Sequence, residues 1–161
     1  MPFIQNTSRK DIADGTSYRK AGNNAMLIQI VDPDTGFPTP KDKFKEIHRF
    51  KFLDAEQRTP VKDELKCSQT QADQLVALLQ HALANDMNVI VHCHAGICRS
   101  GAVAEVGVIM GFTDTGKFRS PNLVVKHRMM AALKMTYDSD EQPSTNGNTT
   151  SWGFILPKSQ T

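Results

Sequence analysis

The sequence predicts an α/β domain: a central, mostly parallel, twisted sheet flanked by helices. Short apolar stretches of strand length alternate with segments whose apolar residues recur at helical spacing. One stretch, Asn88-Val-Ile-Val-His92, is almost wholly apolar, as suits the buried centre of a parallel sheet. A glycine-containing loop follows it. Beyond the loop, Gly101–Phe112 is small and apolar with little alternation, the pattern of a buried helix. The 161 residues suffice for one domain with a real core.

In chain order, Phe3–Asn6 is a short apolar stretch read as a strand. Ser8–Gly15 reads as a short helix with Ser8 as cap and Gly15 as stop. Ala25–Val31 is a strand closed by a Pro/Gly/Asp turn cluster. Lys45–Asp54 carries Ile47, Phe50, Phe52 and Leu53 and reads as a strand ending near Asp54. Polar, irregular chain follows. Ser68 and Gln71 fit a capping box, and Ala72, Leu75, Val76, Leu79 and Leu83 give a helix to about Asn85. Ser120–Met135 is the last expected helix, with Ser120 as cap and Pro121 in its first turn. The domain is expected to span residues 1–137. Residues 138–161 are expected to form a flexible polar tail whose Ser151–Pro157 segment could dock back or meet a partner.

Bulk properties exclude several functions. A formal net charge of +2 is too balanced for binding nucleic acid or a membrane through bulk electrostatics, so an anionic substrate needs a local site. No apolar run is long enough to span a bilayer, and the first residues lack a secretory pattern. Three cysteines do not make a disulfide framework, and a reducing cytoplasm is expected.

The chemistry concentrates in His92-Cys-His-Ala-Gly-Ile-Cys-Arg-Ser100. Ligands of α/β sheets favour the carboxyl ends of strands, and helix N-termini attract anions. A loop there can turn its N–H groups around a tetrahedral anion, with Gly96 supplying conformational freedom. Arg99 can offer a planar fork to two phosphate oxygens. Cys93 stands at the strand end in that positive field, which should hold it as thiolate, a nucleophile aimed at phosphorus. A metal knot of His92, Cys93, His94 and Cys98 is the rival. Adjacent residues on a strand point to opposite faces, and no second Cys/His pair lies near at zinc spacing. A sulfur transferase, an arsenate reductase and a structural cysteine are weaker rivals.

The run from His92 to Ser100 resembles the signature of the cysteine-dependent protein tyrosine and dual-specificity phosphatase superfamily, a likeness extending through element order over roughly residues 25–135, as in its compact microbial or viral members. The resemblance implies a phosphatase-type phosphate loop between a buried strand and a helix. It makes Cys93 the nucleophile and gives the phosphate oxygens to Arg99 and the loop residues His94, Ala95, Gly96, Ile97 and Cys98. Ser100 would help the thiolate leave, and His92 would position the loop. It implies no metal or other cofactor, because Arg99 and the amides stabilise the charge.

Ester cleavage also needs a proton donor, which this superfamily places on a loop before the cysteine. Asp54, just past a strand end, is the expected acid; Glu56, Asp63 and Glu64 compete. His94 and Ile97 give a weakly basic, partly apolar rim, which favours a phosphoprotein, through phosphotyrosine and also phosphoserine or phosphothreonine. A phosphoinositide, an RNA 5′-triphosphate, or phosphate recognition without turnover are the alternatives. Cys98, with Cys67 as rival, is either filler or a resolving thiol that guards Cys93 from oxidation.

Overall fold

The computed structural model describes residues 1–141. The expected segment Ser151–Pro157 lies outside the described residues. Five strands form one sheet: β1 (Phe3–Ser8), β2 (Ala25–Val31), β3 (Glu46–Lys51), β4 (Asn88–Cys93) and β5 (Thr113–Asp114). Their order is β3-β2-β4-β1-β5, and every pairing is parallel. The helices are α1 (Arg9–Asp14), α2 (Gln69–Ala84), α3 (Arg99–Met110) and α4 (Leu123–Glu141). The expected fold class is the observed one.

Period-two alternation divides the core. Met26, Ile28 and Ile30 of β2 and Val89 and Val91 of β4 join α2, α3 and α4 in one cluster, with Leu75, Leu79, Val103 and Met129. Ala25, Leu27 and Ile90 point the other way, onto Ile12 of α1, Phe3 and Tyr18. Each fully buried Val or Ile contributes roughly 1.5–3 kcal/mol by leaving water, so β4, buried on both faces, anchors the sheet. α3 lies close against β1 because Gly107 has no side chain; a Cβ there would sit 2.7 Å from Ile4 Cδ1.

Local signals fixed the starts of α1 and α2. Ser8 and Ser68 each complete a capping box, and Gly15 ends α1 in the left-handed conformation at φ 72°. Three expectations shift. β3 ends at Lys51 rather than near Asp54, because Phe52 N makes the last bond to β2, at Val31 O, and Leu53 N turns away to Leu65 O. α4 begins at Leu123, and Asn122, not Ser120, is its cap: Asn122 Oδ1 accepts from Val125 N at 3.1 Å. Ser120 N is taken by Ile97 O. α4 also continues past its expected end at Met135, to Glu141, since no helix breaker intervenes.

Candidate active site

Strand parity sorts the residues at the end of β4. Val89, Val91 and Cys93 share one face, so the Cys93 side chain joins the core beneath α3, 3% exposed. His92 turns to the α1 face, fully buried beside Gln29 and Thr7 in the neighbouring strands. His94 is exposed. The two histidines and Cys93 therefore diverge, and among the described residues no three His, Cys, Asp or Glu side chains are grouped to hold a metal ion.

The loop from His94 to Cys98 is held from outside by its carbonyls. His94 O accepts from Arg9 N, Gly96 O from Asn6 Nδ2 at 2.7 Å, Ile97 O from Ser120 N, and Cys98 O from Ala102 N and Asn122 N. In a trans peptide the N–H points opposite to the C=O. The amides of Ala95, Ile97, Cys98 and Arg99 are thus turned away from those donors. Gly96 sits at φ 80°, and a Cβ there would lie 2.3 Å from the Thr7 carbonyl carbon, so only glycine lets the loop rest on β1. The helix that follows differs: α1 and α2 carry capping boxes, whereas the Cys98 side chain makes no cap bond to α3.

Arg99 opens α3 and is 5% exposed. Its Nη1 donates to Asp32 Oδ1 at 2.7 Å and to Phe52 O at 2.9 Å. Its Nε is buried with no partner among the described residues. A buried guanidinium with one edge anchored and a donor unsatisfied is suited to accept an anion. Ser100 Oγ lies 3.1 Å from Cys93 Sγ, both buried. His92 Nδ1 lies 3.2 Å from Cys93 O; a carbonyl only accepts, so Nδ1 carries the proton. Burial, reinforced by Arg9 and Arg99 but opposed by the bond to Cys93 O, brings the His92 pKa down to about 4. The imidazole is therefore neutral at physiological pH.

Asp54 is exposed and reaches the site from the loop after β3: its Oδ1 accepts from Asn122 Nδ2 at 2.8 Å. Glu56 Oε2 accepts from Leu123 N, and both carboxylates act on Cys98. Burial first, then the Asp54 charge, push the Cys98 thiol up. Asp63 faces solvent near Lys66, in a short 3-10 turn that also holds Glu64, and nothing ties either to the loop. Cys67, at the head of α2, is buried, and burial raises its thiol to about 12.

Two participants escaped sequence reasoning. Asp32 lies just past β2, at the same sheet end as Cys93; its signal was the Val31-Asp32-Pro33 strand terminus. Asn122 had a signal too, as a good capping residue one position after Pro121, but Ser120 drew the assignment.

Over residues 40–111 the sequence matches the family model described as "Polymorphic toxin system, DSP-PTPase phosphatase". None of the curated proteins matches the chain in sequence. Among solved structures, human DUSP28 is similar at 14% identity and TM-score 0.50, covering 86% of this chain and 96% of that one. OH1 from the Orf virus, described as a tyrosine phosphatase with triple substrate specificity, is similar at 17% identity and TM-score 0.45, covering 88% and 72%. The human tyrosine phosphatase-like serine/threonine/tyrosine-interacting protein is similar at 18% identity and TM-score 0.47, covering 70% and 78%. No helix among the described residues is long and apolar enough to cross a membrane.

Proposed function

We propose that this chain belongs to the cysteine-dependent protein tyrosine and dual-specificity phosphatase superfamily and is a protein phosphatase that hydrolyses phosphotyrosine and also phosphoserine and phosphothreonine through a cysteinyl-phosphate intermediate. The observation that carries this reading is the 3.1 Å approach of Cys93 Sγ to Ser100 Oγ at the start of α3, whose first residue, Arg99, keeps a buried Nε without a partner among the described residues.

The Cys93 thiolate attacks phosphorus, and a P–S bond forms as the ester P–O bond breaks. Asp54 gives its proton to the departing oxygen. The equatorial oxygens are held by the Arg99 fork and the loop amides, fixed donors that need no reorganisation during the reaction. His92, neutral, holds the Cys93 carbonyl and with it the start of the loop. A water then attacks phosphorus while the Asp54 carboxylate takes its proton. The P–S bond breaks, and the Ser100 hydroxyl donates to the reforming thiolate. Inorganic phosphate leaves. Exposed His94 and half-buried Ile97 form a rim that suits a phosphorylated side chain better than a polyanion.

Hydrolysis of an aryl phosphate in chelator tests the reading. Activity should persist in chelator and vanish in Cys93→Ser. Activity that survives Cys93→Ser, or that needs added metal, overturns it. Phosphate release from phosphotyrosine and phosphoserine peptides, compared with a phosphoinositide and an RNA 5′-triphosphate, tests the substrate class; faster turnover of either polyanion overturns the protein assignment.

A further inference from the structure

We infer that Asn122 is a positioning residue that holds the acid loop against the phosphate loop and aims Asp54 at the leaving oxygen. Asn122 is 1% exposed, and its polar atoms are engaged. Its Nδ2 donates to Asp54 Oδ1 at 2.8 Å and to Ala55 O at 3.1 Å. Its Oδ1 accepts from Val125 N, and its backbone N donates to Cys98 O at 2.9 Å. One side chain thus joins the acid loop and the start of α4, while its own backbone grips the phosphate loop.

The residue type supports this role. Capping α4 requires only a side-chain acceptor, which Ser, Thr or Asp supplies equally well. Only an amide adds two N–H donors to that acceptor, and both donors are spent on the loop bearing Asp54. Asp54 is otherwise exposed on irregular chain after β3, where a carboxylate left to solvent samples many rotamers. General acid catalysis depends on the donor standing within hydrogen-bond reach of the leaving oxygen, so this anchor acts on the rate of that proton transfer. Leu123 N bonding Glu56 gives the same loop a second tie, which leaves its fold in place when the Asn122 amide is removed.

The inference rests on Asp54 being the acid of the proposed phosphatase, and the test separates the two. Asn122→Ser keeps the cap and deletes the donors; Asn122→Asp does the same and sets a second carboxylate against Asp54. Steady-state kinetics are compared on an alkyl phosphate, which needs protonation of its leaving group, and on p-nitrophenyl phosphate, which scarcely does. Both variants should lose about ten- to a hundredfold in kcat on the alkyl phosphate, with KM little changed and p-nitrophenyl phosphate turnover reduced less than about threefold. Neither should cause a further loss in an Asp54→Asn background. Equal losses on both substrates, an additive loss with Asp54→Asn, or no loss at all overturns the inference. If Asp54→Asn itself is silent on the alkyl phosphate while Cys93→Ser is dead, the inference falls and the phosphatase reading stands. If Cys93→Ser is active, both fall.

Discussion

Arg99 Nη1 lies 2.7 Å from Asp32 Oδ1, so the residue best placed to bind an anion already holds a counter-charge. The Asp32 carboxylate is 43% exposed, and solvent screens the pair. Its main role is therefore orientation, with a smaller opposing effect on anion affinity. Asp32→Asn keeps an oxygen acceptor for Nη1 and removes the charge. Inorganic phosphate should then inhibit about two- to fivefold more tightly. Asp32→Ala removes the acceptor as well and should lower kcat about tenfold. Inhibition constants and turnover of the two variants check both halves.

Gly96→Ala should disable the loop. A methyl at this position meets the Thr7 backbone at 2.3 Å, and the left-handed φ of 80° adds about 1–2 kcal/mol. Backbone cannot rotate aside as a side chain can, so the loop must lift from β1. The expected result is a loss of at least about a hundredfold in kcat/KM and a lowered Tm. Normal activity with a normal melt would show that the loop does not need this contact.

Stability should fall in mild acid because of His92. The folded pKa is about 4 and the unfolded value 6.5, so between them the unfolded chain binds more protons. Stability rises with pH through that window. The contribution of His92 is complete above pH 6.5 and lost progressively as pH falls to about 4, for up to about 3 kcal/mol. Urea midpoints between pH 4 and 7 should show the slope, and His92→Gln should flatten it. A wild-type midpoint constant across the window would contradict the buried neutral histidine.

Peroxide should link Cys93 to Cys98, not to Cys67. All three cysteines are free thiols. Cys67 is buried with its thiol raised to about 12, which leaves almost no thiolate at neutral pH. Cys98 is half-buried, and its electrostatic coupling to Cys93 marks it as a neighbour in the same loop. Peroxide converts Cys93 to the sulfenic acid, and the Cys98 thiol then displaces water to form the disulfide. Mass spectrometry should find two hydrogens lost in wild type and in Cys67→Ser, but not in Cys98→Ser. A bridge that persists in Cys98→Ser would reassign the resolving thiol.

The parts of the molecule legible in the sequence are those set by short-range rules. The bounds of β2, the cap at Ser8, the capping box at Ser68, the stop at Gly15 and the strand–loop–helix around Cys93 all follow from residues within a turn or two of one another. What stayed hidden depends on parallel strands ending side by side. Asp32 meets Arg99 because β2 lies beside β4 in the sheet, and strand order leaves no mark on residue spacing. Asp54 could be selected as a strand-end carboxylate, yet its bond to Asn122 crosses from the sheet edge to the last helix. Two-residue β5 was missed because it is too short to show alternation. The cap of α4 was misplaced because Ser120 is equally suitable chemically, and its backbone is instead drawn to Ile97 O.

The contacts beneath Gly96 bear on when the loop takes its final shape. Asn6 holds the Gly96 carbonyl, and the Thr7–Ser8 backbone forms the floor on which the loop curves. Strand β1, inserted between β4 and β5, is thus as necessary to the cradle as the signature that follows β4. These contacts join residues 90 apart in the chain, so docking β1 requires closing a long loop. A chain with β1 undocked could keep α2, α3 and α4 packed together and still lack a phosphate site. Helical content would then overstate the competent fraction, whereas slow hydrogen exchange at Asn6 and Thr7 would report it.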